Sequence, residues 1–172
     1  ALLLIEVDGH PAVVAEEAAG VRKILEEVRA DEIHQAGTAE EAARLTAARR
    51  TALSAVARVS PTTILEDATV PRNRLAETFA EIERLKEKYQ VRVATFGHAG
   101  DGNLHPTALT DERNPGEIEK VHAFFAELYE KVLSLGGTVS GEHGIGIAKK
   151  DYLLRQLGEG GMGVMRRIKN AF

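Results

Sequence analysis

Two glycine-rich segments constrain this chain more than anything else in it: Phe96-Gly97-His98-Ala99-Gly100-Asp101-Gly102-Asn103-Leu104-His105-Pro106 and, further on, Ser140-Gly141-Glu142-His143-Gly144-Ile145-Gly146. Glycine at this density is unfavourable inside helices and strands, so both segments read as turns joining regular elements. Asp-Gly between two strand-like runs is a strong hairpin signal, because a type I′ turn needs positive φ at both central residues. Taking Asp101-Gly102 as that two-residue turn sets Gly100 opposite Asn103, Ala99 opposite Leu104 and His98 opposite His105. Two imidazoles facing each other across a ladder, with Cβ atoms roughly 4.5–5.5 Å apart, form a chelating pair.

A histidine pair completed by a carboxylate, with positions left open, is a common way to hold Zn²⁺ or a similar divalent ion for chemistry. Glu142 is the natural third ligand, since its flanking glycines let the backbone approach the hairpin closely. His143, next to it, is a fourth ligand or a general base, histidine being the side chain type that exchanges protons near neutrality. Tight-turn requirements explain the glycines and Asp101, but not two facing imidazoles. Asn103 reads either as a turn residue or as a contact residue of the site, and Glu142 either as the third ligand or as a loop carboxylate. The remaining histidines, His10, His34 and His122, stand alone and read as ordinary surface or core residues. No G-x-G-x-x-G opens a helix after a strand, so the glycines are not a dinucleotide fingerprint.

The scaffold reads as alternating elements. The apolar run over residues 2–7, closed by Asp8-Gly9, predicts a buried strand. Pro11 opens a helix with Val14, Ala18, Val21, Leu25 and Val28 at helical spacing. Residues 32–36 predict a second short strand. Thr38 followed by Glu41 forms a capping box for a helix reaching about Arg58. Ser60-Pro61 breaks it, residues 62–70 predict another strand, and Pro71 starts a helix with Leu75, Phe79, Ile82, Leu85 and Tyr89 on one face. Strands over residues 91–96 and 103–109 flank the hairpin turn. Asn114 and Pro115 open the clearest helix, with Ile118, Val121, Phe125, Leu128 and Val132 inward. Two helical pieces, about residues 148–157 and 163–171, finish the chain. This order predicts an α+β fold, mainly antiparallel, with helices on one face.

At 172 residues and 44% hydrophobic content, one domain spanning residues 1–172 can bury a sizeable core. The formal charge of −4 leaves no basic stripe to track phosphates, so nucleic acid is not an expected partner. Without cysteine there is no disulfide framework, which fits a cytoplasmic setting. No apolar run approaches the roughly 20 residues that span a bilayer, so no transmembrane segment is expected. The chain starts without Met in an apolar run and stops just after an amphipathic segment, which reads as a piece of a longer polypeptide.

The segments HAGDGNLHP and SGEHGIG together resemble the two signatures of the C-terminal domain of FAD-linked 2-hydroxyacid dehydrogenases of the glycolate oxidase D subunit, D-lactate dehydrogenase and D-2-hydroxyglutarate dehydrogenase type. Residues 61–72, PTTILEDATVPR, resemble the stretch preceding them in the glycolate oxidase group. The resemblance implies a ferredoxin-like substrate or cap domain serving an N-terminal FAD-binding domain of the same polypeptide, with other oxidase subunits as further partners and peripheral membrane attachment through them. It implies FAD as cofactor and a divalent metal, Zn or Mn, held by His98, His105 and Glu142. It implies that Asn103 contacts the substrate, His143 acts as base, and Arg50, with Arg49 beside it, grips the carboxylate of a small 2-hydroxyacid. Leu65 stands where the hydroxyglutarate enzymes carry a lysine, which favours glycolate or D-lactate over a dicarboxylate. Without its flavin domain, the chain is expected to be inactive. The same residues would also suit a stand-alone metal-dependent hydrolase or a non-catalytic subunit retaining the fold.

Overall fold

Caps and helical periodicity place five α-helices among the described residues. The computed structural model describes residues 2–172, apart from the side chain of Ala48. It comprises two compact units, Ala1–Ser54 and Ala55–Phe172, a finer division than length alone suggests.

The first unit contains α1 (Pro11–Glu27) and most of α2 (Ala39–Val56). Proline sits at the start of α1, and the His10 side chain caps it by accepting from the Ala12 N–H. The expected stripe of Val14, Ala18, Val21 and Leu25 is half-buried, whereas Val28 is exposed. At α2 the capping box takes a variant form: Glu41 N–H donates to Thr38 Oγ1 at 3.2 Å, and Glu41 Oε2 accepts from Gly37 N–H at 2.7 Å. The strands expected over residues 2–7 and 32–36 do not form; both stretches are irregular. An apolar run becomes a strand only where another strand satisfies its N–H and C=O groups, and neither stretch has such a partner among the described residues.

The second unit is built on an antiparallel sheet of β1 (Thr62–Leu65), β2 (Ala68–Thr69), β3 (Arg92–His98) and β4 (Asn103–Thr110). β4 is the hub, pairing with β3 along one edge and with β1 and β2 along the other. Leu65 faces Thr107 and Ala68 faces Leu104, so the register runs on unbroken through Glu66 and Asp67. Residues 62–69 therefore behave as one strand, as expected, with the ladder loosened at two acidic residues that disfavour pairing.

That register sorts side chains onto two faces. Ala68, Leu104 and Ala108 point into the hydrophobic core, where they meet Ile82 and Leu85 of α3 (Leu75–Tyr89) and Val121, Phe124, Leu128 and Val132 of α4 (Pro115–Ser134). Burial of side chains of this size contributes about 1.5–3 kcal/mol each, which fixes the helices against this face. The helix expected to begin at Pro71 instead starts with a 3₁₀ turn, Arg72–Arg74, and Phe79, expected inward, is exposed. Asn114 precedes α4 but its side chain does not cap the backbone; it donates to Glu117 Oε1 at 3.0 Å instead. The final helix, α5 (Lys150–Ala171), is interrupted at Gly158 (φ 64°, ψ 178°), which recovers the two expected helical pieces. The α+β class is as expected from the sequence. No helix among the described residues is long and apolar enough to cross a membrane.

Candidate metal centre

The β3–β4 hairpin carries the two leading imidazoles, though not through the expected turn. His98 pairs with Asn103 and Phe96 with His105, so the loop spans the four residues 99–102 rather than the two residues Asp101-Gly102. The main chain favours the longer loop because Gly102 N–H and Asp101 N–H both donate back to His98 C=O, at 3.0 and 3.2 Å, while Asp101 Oδ1 accepts from Asn103 N–H at 3.0 Å. The correction shifts the register by two residues, and a shift of two preserves the face. His98 and His105 are thus diagonal rather than opposite neighbours, on the face turned away from Leu104. Their rings still meet, with centroids 5.3 Å apart in an edge arrangement.

The segment over residues 138–143 crosses this same face. Thr69 and Thr138 exchange two backbone hydrogen bonds, 3.0 and 2.8 Å. Beyond that bridge the chain passes so close to the hairpin that a Cβ on Gly141 would lie 2.2 Å from Thr69 Oγ1 and 2.8 Å from the Asn103 amide. Only glycine fits there, and the close passage delivers Glu142 and His143 to the histidine pair. Glu142 Oε1 becomes the point of convergence: it lies 3.0 Å from His105 Nε2, 3.6 Å from His98 Nε2 and 3.9 Å from His143 Nε2. It also accepts from Asn103 Nδ2 at 3.3 Å, and Asn103 Oδ1 accepts in turn from Thr69 Oγ1 at 3.1 Å. The rings of His105 and His143 stack with centroids 4.9 Å apart.

Burial grades these groups by task. The His105 side chain is 11% exposed, against 40% for His98, 41% for His143 and 51% for Glu142, so the cluster is closed underneath and open on one side. Burial, reinforced by repulsion from His143, pushes the His105 pKa below its ordinary value, although Asp67 and Glu142 pull the other way. The shift favours the neutral imidazole, the form that binds a metal. One donor atom each from His98, His105 and Glu142 lie within 4.8 Å of one another. Two imidazole nitrogens and a carboxylate, with an open side, suit Zn²⁺ or Mn²⁺; the residues fit the ion the resemblance implies.

The structure brings His98, Asn103, His105, Glu142 and His143 together. Arg50 is carried by α2 in the first unit, where it is exposed. His34 pairs with Glu32 at the surface, 3.2 Å away, and His122 is exposed on α4.

Sequence reading missed Asp67. Fully buried, it accepts through Oδ2 from Ser140 Oγ (2.7 Å) and from the N–H groups of Gly141 (3.0 Å), Glu142 (3.0 Å) and His143 (2.9 Å). Burial alone would raise its pKa, but the donors from His143, Ser140, Glu142 and Gly141 outweigh it and hold the carboxyl well below the usual range. From the core side, Lys149 Nζ binds Asp67 C=O at 3.0 Å and Glu66 Oε2 at 3.0 Å, and Tyr129 OH donates to the same Glu66 oxygen at 2.6 Å. The available signal was an aspartate inside a β-branched strand, where Asp is depleted.

A family model described as FAD linked oxidases, C-terminal domain, matches residues 1–172. The chain is 49% identical over 172 residues to the glycolate oxidase subunit GlcD of Bacillus subtilis, covering 100% of this chain and 37% of that protein. It is 37% identical over its whole length to GlcD of Escherichia coli K12, covering 34% of that protein. Against a D-lactate dehydrogenase of Anaerostipes hadrus it is 42% identical over 107 residues, 62% of this chain and 22% of that one. The chain spans about a third of the length of the two GlcD relatives.

Proposed function

Since the chain belongs to the family of C-terminal domains of FAD linked oxidases, we propose that it forms the substrate side of a flavin-dependent 2-hydroxyacid oxidoreductase acting on glycolate or D-lactate. The observation that carries this reading is the convergence of three imidazole Nε2 atoms on one oxygen of Glu142. In this reading residues 1–172 act as one module beside a flavin-binding portion of a longer polypeptide, and no residue of this chain is assigned to FAD.

His98, His105 and Glu142 would hold a divalent ion, which when bound would lower the pKa of a hydroxyl it touches. His143, half-exposed beside the set, takes the hydroxyl proton on a ring nitrogen. Asn103, already fixed by Thr69, donates its amide hydrogen to the substrate. FAD, when bound by the flavin portion, would supply the acceptor for the hydride of the substrate C–H bond. Loss of that proton and that hydride converts the 2-hydroxyacid to the 2-oxoacid, so the balance closes. Leu65 lies on the same sheet face as His105, because it pairs with Thr107. An apolar side chain there favours a small monocarboxylate over a dicarboxylate.

Dye-linked oxidation tests the reading. The full-length flavoprotein is expected to oxidise glycolate or D-lactate, His143→Ala to lose roughly 10²–10⁴-fold in kcat, and residues 1–172 alone to give no turnover. Oxidation by the isolated chain without flavin, or an unimpaired His143→Ala enzyme, would overturn it.

A further inference from the structure

Among the described residues, two buried side-chain polar atoms have no hydrogen-bond partner: Asp67 Oδ1 and His105 Nδ1. Buried polar atoms without partners are rare and costly, and two of them at one place call for a shared cause. The strand register supplies it. Ala68 faces Leu104 and Leu65 faces Thr107, so Asp67 falls directly opposite His105 across the sheet, on the face of the metal set. One oxygen of Asp67 and one nitrogen each of His105 and His143 lie within 4.8 Å of one another. Oδ2 of Asp67 is already committed to the four donors of residues 140–143, and Oδ1 has no partner.

We propose that Asp67 is the positioning residue of the metal centre: Oδ2 holds the segment that presents Glu142 and His143, while Oδ1, unpartnered in this structure as His105 Nδ1 is, comes within reach of that nitrogen when the ion is bound, accepts its proton and leaves Nε2 for the metal. The inference rests on the metal reading above. A metal-bound histidine ordinarily gives its second ring N–H to a carboxylate or carbonyl, which sets the tautomer and raises ligand basicity. Here one carboxylate does this for His105 and also anchors the backbone bearing the other ligand. The surroundings keep that carboxylate in place: it is fully buried, and Lys149 grips the Asp67 carbonyl and Glu66 from the opposite face.

Asp67→Asn separates the two duties. Its carbonyl oxygen can still accept from residues 140–143, but its amide then presents a donor to His105 Nδ1 and favours the tautomer protonated on Nε2, the nitrogen needed for the ion. The test uses the full-length protein, labelled with ¹⁵N-histidine and loaded with Zn²⁺. Long-range ¹H–¹⁵N spectra are expected to show His105 protonated on Nδ1 and unprotonated on Nε2. Competition against a chromophoric chelator is expected to show Asp67→Asn binding Zn²⁺ about 10–100-fold more weakly, with an unchanged circular dichroism spectrum and the Nε2-protonated tautomer. A parent protein protonated on Nε2 overturns the proposal, as does an Asp67→Asn protein with zinc affinity within about twofold of the parent. A variant with an unchanged His105 tautomer reduces Asp67 to a loop anchor and overturns it too. Should Asp67→Asn fail to fold, the parent's tautomer decides by itself. A parent that binds no Zn²⁺ overturns the metal reading instead, a separate and recognisable result.

Discussion

At the scale of single residues, the centre depends on positions where a side chain would be in the way as much as on those that supply one. Gly141 is such a position, because an added Cβ would lie 2.2 Å from Thr69 Oγ1. Overpacking of this kind costs about 1–3 kcal/mol, so Gly141→Ala is expected to lower the urea midpoint by that equivalent and to weaken metal binding by displacing Glu142. Gly100→Ala is the control, since a Cβ there meets nothing within 4 Å, and it should behave like the parent in both measurements. The ligand types were readable because tight turns account for the glycines but not for the histidines and the carboxylate set among them. Asp67 was not, because its role comes from four donors more than seventy residues away in the chain.

At the scale of elements, local chemistry predicted helices better than strands. Pro11, Thr38 and Pro115 mark helix starts through caps that are local in sequence. The runs at residues 2–7 and 32–36 look like strands in composition, but a strand needs a partner and the sequence does not say whether it has one. The hairpin shows the same limit: Asp101-Gly102 announced a turn, and the backbone bonds to His98 C=O chose a four-residue loop. The pairing of His98 with His105 survived in altered form because the error was an even number of residues.

The packing of α3 on α4 carries its own electrostatic element. Glu127 on α4 accepts from Tyr89 OH at 2.6 Å and Arg84 Nη2 at 2.6 Å, and also pairs with Lys88. The Lys88 ammonium first, then the Tyr89 hydroxyl and Arg84, hold the Glu127 carboxyl down to about 2, against about 4.3 in an unfolded chain. A depressed carboxylate binds fewer protons folded than unfolded, so its stabilisation is full above the unfolded value and is lost as pH falls from about 4 towards 2. Urea midpoints at pH 7 and pH 2.5 are therefore expected to differ less in Glu127→Gln than in the parent. The gap between the two proteins at pH 7 should narrow in 1 M salt, because the network is solvent-exposed. An equal acid sensitivity in both would show that Glu127 contributes nothing to the helix pair.

At the scale of the whole molecule, the chain belongs to the family of C-terminal domains of FAD linked oxidases and spans about a third of the length of its GlcD relatives. Its second unit devotes one sheet face to a hydrophobic core with α3 and α4, and the opposite face to His98, His105 and Asn103, over which the segment bearing Glu142 and His143 is drawn. The α+β class followed from element order, whereas the division into two units and the two-faced use of β4 depended on long-range pairing that no local pattern encodes. The most direct test of the proposed centre is the metal content of the full-length protein after reconstitution with Zn²⁺ or Mn²⁺ and gel filtration, measured beside a His98→Ala/His105→Ala variant. About one ion per chain in the parent and almost none in the folded variant is the expected result. Equal metal in the two proteins, or none in the parent, would contradict the ligand set of His98, His105 and Glu142.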